Sequence, residues 1–123
     1  MTEIQLQTSA VTWLWNTYPA TRRLFFHIPN GGSRNAVEGM QLKASGVVAG
    51  IPDCILIHLG LAYGFEFKTL TGTVSPEQAK VHQVWQQDGT PVYIIRTLEE
   101  FQKAIISILG QPITTQLGKE VAA

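Results

Sequence analysis

The stretch from Asp53 to Lys68 constrains the fold more than any other part of the sequence. Cys54-Ile55-Leu56-Ile57 is an apolar run, Leu59-Gly60 is a two-residue break, and Leu61 to Lys68 resumes a strand-like pattern. So short a link predicts an antiparallel hairpin with strands over 53–58 and 61–68. Its open end gathers Asp53, at the start of the first strand, and Glu66-Phe67-Lys68, at the close of the second. Residues two apart on a strand face the same way, so Glu66 and Lys68 project together.

Two carboxylates on one surface suit Mg²⁺, a hard cation that takes oxygen ligands and keeps several waters. The Phe67 carbonyl lies between them as a possible third ligand. A lysine beside such an ion orients or deprotonates a water, or offsets charge on a phosphate. This set suits phosphodiester hydrolysis, because positioning and charge neutralisation do most of the work in an in-line displacement. Taken alone, so short and degenerate a pattern more often describes a cross-strand salt bridge on a solvated sheet face.

Around the hairpin the sequence alternates helices and strands. Residues 3–18 read as a helix with Ile4, Val11, Leu14, Trp15 and Tyr18 on one face, closed by Pro19. Glu3 and Gln7 are polar intrusions at and within that face. Leu24–Ile28 reads as a strand before Pro29-Asn30-Gly31-Gly32. Asn35 and Glu38 then mark a short helix start, with Val37, Met40 and Ala44 on one face and Gly46 as its stop. Ser75-Pro76-Glu77-Gln78 opens a third helix with a Val81, Val84 and Trp85 stripe; His82 reads as packed or solvent-facing. Val92–Ile95 is a buried-type strand. Thr97 to Glu100 starts a last helix carrying Leu98, Phe101, Ile105, Ile108 and Leu109. The order is α-β-α-β-β-α-β-α over residues 1–110, an α/β domain, and 111–123 show no periodicity and are expected to form a flexible tail.

Composition excludes several classes. With 123 residues the chain fits one domain, and 45% apolar content supports a folded core. Equal numbers of basic and acidic residues, 9 each, exclude a generally basic nucleic-acid binder but not a nuclease, which concentrates acids in one pocket. Residues 19–46 hold Arg22, Arg23, Arg34 and Lys43 against Glu38 alone, so the basic side is the segment leading into the candidate site. Charged residues make up only 15%, against roughly 25% in an average domain. That shortage fits a surface covered by a second subunit or a tightly packed monomer. A single cysteine excludes an intrachain disulfide and fits a reducing cytoplasm. No apolar segment approaches the ~20 residues of a membrane span, no basic stretch precedes an apolar core near Met1, and no GxxxxGK[ST] loop provides for a nucleotide cofactor.

Five stretches in order carry a resemblance: His27-Ile28-Pro29-Asn30-Gly31-Gly32-Ser33-Arg34, Leu42-Lys43-Ala44-Ser45-Gly46, Ala49-Gly50-Ile51-Pro52-Asp53, Glu66-Phe67-Lys68-Thr69 and Ser75-Pro76-Glu77-Gln78. Together they resemble the VRR-NUC family, a branch of the PD-(D/E)XK nuclease superfamily. The family occurs as small stand-alone phage and bacterial proteins and as the nuclease domain of the Fanconi-associated nuclease. The resemblance runs from Glu3 to about residue 109.

It implies a restriction-endonuclease-like core, a mixed β-sheet flanked by helices. By position, Asp53 and Glu66 match the metal-binding acids, Lys68 matches the catalytic lysine, and Glu3 completes the acidic cluster with Gln7 beside it. The Phe67 carbonyl joins Asp53, Glu66 and Glu3 as an expected metal ligand. Gln78 matches a glutamine near the active site, although it also occupies the third position of a helix cap. The loop after the first strand lies near the substrate in the family, which makes His27, Asn30, Arg34 and Lys43 the expected DNA contacts. The implied protein is a cytoplasmic, Mg²⁺- or Mn²⁺-dependent homodimeric endonuclease cutting branched DNA such as four-way Holliday junctions, in the host cytoplasm if phage-encoded. A nuclease of flap, restriction-like or exonucleolytic specificity, or a DNA-binding module without turnover, are the alternatives.

Overall fold

The structure of the chain is a computed structural model that describes residues 1–29, 35–114 and 120–121. Helix α1 (Glu3–Thr17) leads through a 3-10 turn (Pro19–Arg23) into strand β1 (Phe25–His27). Helix α2 (Ala36–Ala44), strands β2 (Cys54–His58) and β3 (Leu61–Phe67), helix α3 (Pro76–Gln87), strand β4 (Val92–Ile95) and helix α4 (Leu98–Leu109) follow in the predicted order. Past α4, where the sequence shows no periodicity, β5 (Ile113–Thr114) and β6 (Glu120–Val121) pair antiparallel. Among the described residues no helix is long and apolar enough to cross a membrane.

The sheet runs β1-β2-β3-β4. The β2–β3 hairpin is antiparallel, with Cys54 opposite Phe65 and His58 opposite Leu61. Its turn residues, Leu59 and Gly60, both have positive φ, the backbone that a right-twisted two-residue hairpin demands. β1 adds antiparallel to β2, and β4 adds parallel to β3 by way of α3, so the sheet is mixed.

Alternation along β3 divides the molecule into two faces. Phe65 and Phe67 point into the hydrophobic core with Phe25, Leu56 and Ile95, where α1 and α4 pack. Phe101 of α4 is the hub of that core: Trp13, Phe25, Phe65 and Phe67 surround it with ring centroids 5.3–6.1 Å away. The intervening residues Gly64, Glu66 and Lys68 take the opposite face. There Trp85 of α3 lies so close to Gly64 that an added Cβ would meet its ring at 3.1 Å.

Helix α4 buries the expected stripe, but the other three helices depart from the sequence pattern. In α1 the fully buried residues are Leu6, Ala10 and Leu14, followed by Tyr18, while Ile4 is 65% exposed. The core-facing stripe is therefore rotated away from Ile4, and the Glu3–Gln7 side of the helix is left facing a cleft. In α3 the single buried residue is His82, and Val84 is 57% exposed. In α2 no residue is buried, and Val37 and Met40 are 63% and 70% exposed. Each helix presents a plausible apolar stripe, and the surface available on the sheet decides which face is covered.

Candidate active site

Glu66 of β3 and Lys68 just past its end, both facing away from the core, form the floor of the site. Glu66 is 1% exposed and Lys68 7%. Lys68 Nζ lies 4.0 Å from Glu66 Oε2, so the two predicted neighbours do share a face. Asp53 enters from the residue before β2, and its Oδ2 accepts the Phe67 N–H at 2.7 Å. The N–H and C=O of one strand residue open toward the same edge. The Phe67 carbonyl therefore opens on the Asp53 side. Two side-chain carboxyls and one carbonyl make an oxygen-only donor set suited to a hard divalent cation. Among the described residues there is no group of three or more His, Cys, Asp or Glu side chains arranged to hold a metal ion.

Helix α3 roofs the floor. Ser75 and Gln78 close a reciprocal cap, in which Ser75 Oγ accepts the Gln78 N–H and Gln78 Oε1 accepts the Ser75 N–H. The other end of the same amide donates from Nε2 to Glu66 Oε2 at 3.2 Å. Capping and the site are thus one arrangement, not alternatives. Gly50 backs onto this turn. Its φ is +88°, and a Cβ there would stand 2.6 Å from the Glu77 carbonyl oxygen. Only glycine allows the 49–53 loop to carry Asp53 so close to the start of α3.

A cleft of about 770 Å³ opens above, lined by Glu3, Gln7, His27, Asp53 and Gln78 among others. His27 Nδ1 lies 2.7 Å from the Asp53 carbonyl oxygen, which can only accept, so the ring carries its proton on Nδ1. Glu3 Oε2 stands beside Gly72, in the loop that follows Lys68. That loop is held by Arg96, whose Nη1 donates to the Thr69 and Gly72 carbonyls at 2.6 and 2.7 Å. Lys68 borders a second cavity of about 440 Å³ on that side. Lys43, exposed in the last turn of α2, does not line the main cleft. Asn30 and Arg34 lie outside the described residues.

Sequence reasoning missed three contributors: His82, Arg96 and the close approach at Gly50. His82 stands four residues after Gln78, hence on the same side of α3. Its Nε2 is 3.6 Å from Glu66 Oε1. That spacing is the one signal that was available.

Electrostatics follow from burial. Desolvation, then the charge and hydrogen bond of Asp53, push Glu66 from its ordinary 4.5 up to about 8, against a smaller opposing effect of Lys68. Desolvation and the nearby Lys68 charge lower His82. Cys54 is buried under the site, and its thiol is pushed up to about 12, out of the reactive range.

Neither a protein-family model nor a curated protein matches the chain. A solved structure described as "VRR_NUC domain protein" does, with a TM-score of 0.71, 20% sequence identity and coverage of 87% of each chain. The chain has the VRR_NUC fold. In that fold's mixed sheet, the site described above sits where β2 and β3 meet the first turn of α3.

The raised Glu66 pKa predicts a stability profile. An acid that holds its proton more tightly in the fold than unfolded makes the fold lose stability as pH rises from about 4.5 to about 8. Lowered His82 acts oppositely, but only below 6.5, its ordinary value. In metal-free protein, thermal melts should therefore show Tm falling between pH 6.5 and 8 in the wild type and staying level in Glu66→Gln. Parallel profiles for the two proteins would show that Glu66 is not desolvated.

Proposed function

We propose that this chain is a Mg²⁺- or Mn²⁺-dependent DNA endonuclease that acts as a homodimer on branched DNA such as four-way junctions, in the cytoplasm. The observation that carries the reading is the juxtaposition of Asp53, Glu66 and Lys68 beneath a cleft that Asp53 and Gln78 line. A buried carboxyl beside a second carboxyl is destabilised as an anion, and a cation bound there would relieve it. Mg²⁺ is commonly bound by one or two carboxylates and retains waters, so Asp53, Glu66 and the Phe67 carbonyl fit it without a third acid, with Glu3 at the rim. When bound, the ion polarises a phosphoryl oxygen and acidifies its water.

The chain's own residues supply the rest. Gln78 fixes the orientation of Glu66 through Oε2. Lys68, an ammonium next to the carboxylates, is placed to orient a water or balance charge on the reacting phosphate. His27 donates from Nδ1 to the Asp53 carbonyl, which fixes its ring in the cleft wall. Arg34 is the residue we assign to the DNA backbone away from the reacting bond, with Asn30 and Lys43 as further contacts of the same basic segment.

Dimerisation is supported by α2. A nine-residue helix with no buried residue has little stability of its own. Its Val37 and Met40 are exposed on one side. Covering them with a second copy would stabilise α2 and give a two-fold enzyme with two sites, which suits a substrate needing two cuts.

Asp53→Ala and Glu66→Ala should each abolish Mg²⁺-dependent cleavage of a junction while circular dichroism stays wild-type. Either variant cutting at near wild-type rate would remove the site. Lys68→Ala should slow single-turnover cleavage at saturating DNA with binding retained. Arg34→Ala should weaken binding and reduce its salt slope by about 1. Equal slowing at saturation would move Arg34 into the catalytic group. A panel of junction, flap, linear duplex and single-stranded DNA reports specificity, and preference for any substrate but the junction would overturn the branched-DNA assignment.

Light scattering at micromolar concentration should give twice the 13.6 kDa chain mass. A fully active 13.6 kDa species would exclude the dimer.

A further inference from the structure

His82 is the one buried residue of α3, at 6% exposure. A polar ring at that position calls for a partner, because a buried donor or acceptor left unpaired loses its hydration without return. Glu66 Oε1 and His82 Nε2 are both buried, both without a hydrogen bond, and 3.6 Å apart. The other Glu66 oxygen is already taken by Gln78, one helical turn earlier on α3. Side chains four apart stack on one helix face, so Gln78 and His82 reach the two oxygens of the same carboxylate.

We infer that His82 is a positioning residue for Glu66, donating its Nε2–H to Oε1 so that one face of α3 grips both carboxylate oxygens. An ionised carboxylate only accepts, so the pairing places the ring proton on Nε2 and leaves Nδ1 without one. A shift of about half an ångström brings the two atoms into hydrogen-bond range. A carboxylate held at both oxygens has one rotamer and aims its remaining lone pairs in a fixed direction. That is how neighbours of a metal ligand act on the metal. His82 touches neither substrate nor ion in this arrangement.

The inference rests on the reading that Glu66 serves a divalent cation, and the experiment separates the two. Full-length wild type, His82→Leu and His82→Gln are compared by calorimetric titration with Mg²⁺, by junction affinity in Ca²⁺ and by single-turnover cleavage. Nitrogen NMR of the His82 ring is recorded at pH 9 in wild type and Glu66→Gln. His82→Leu should lose about tenfold or more in Mg²⁺ affinity, a size typical for outer-shell partners. His82→Gln, which keeps an N–H donor, should recover to within about threefold, and junction affinity should not change. The wild-type ring should be neutral with the proton on Nε2, and its resonance should move in Glu66→Gln.

Mg²⁺ affinity in folded His82→Leu equal to wild type, or a proton on Nδ1, would overturn the inference. If His82→Leu does not fold, the wild-type ring spectrum decides. If the wild type neither binds Mg²⁺ nor cuts, the nuclease reading fails, while the ring spectrum still supports or overturns the His82–Glu66 pairing.

Discussion

Placing Glu66 out of water beside a second carboxyl is the constraint on which the rest of the site depends. Isolated burial of an ionised carboxylate is prohibitively costly, so the group either keeps its proton or finds positive charge. Here it has Lys68 at 4.0 Å, too far for a short ion pair, and Asp53 on the other side pushing the wrong way. The fold therefore carries an electrostatic debt that a cation would cancel. The hydrophobic core makes that debt bearable: Phe65 and Phe67 flank Glu66 in sequence and anchor its strand in the Phe101 aromatic cluster.

Helix α3 converts this constraint into geometry. Its first turn is fixed by the Ser75–Gln78 cap and by the tight approach of Gly50, and its inner face contributes Gln78 and His82 to Glu66. The loop that delivers Asp53 packs on the same turn. The two acids consequently cannot move independently: a displacement of α3 changes both. Arg96 does a comparable service on the other side, tying the loop after Lys68 to the end of β4.

Much of this was legible in the sequence where the determinants are local. The hairpin followed from a two-residue turn between apolar runs, and the shared face of Glu66 and Lys68 followed from strand alternation. The caps at Ser75 and Thr97 close as reciprocal boxes, and Asn35 caps α2 by accepting the Glu38 N–H. What sequence could not settle was which helix face meets the sheet. In α1, Ile4 and Leu6 are equally apolar, and only the position of the sheet selects Leu6. In α3, the Val81–Val84–Trp85 stripe outweighs His82 in apolar content, yet the buried carboxyl below selects the imidazole. Gln78 serves cap and site together because its amide has two ends, Oε1 for the Ser75 N–H and Nε2 for Glu66.

Proton release on metal binding tests the central claim most directly. If Mg²⁺ takes the position that a proton holds between Asp53 and Glu66, binding must expel that proton at neutral pH. Calorimetric titration of Mg²⁺ into the protein at pH 7, in buffers of different ionisation enthalpy, should show proton release in the wild type and far less in Glu66→Gln. Binding without proton release in the wild type, or release of the same size in Glu66→Gln, would contradict the account.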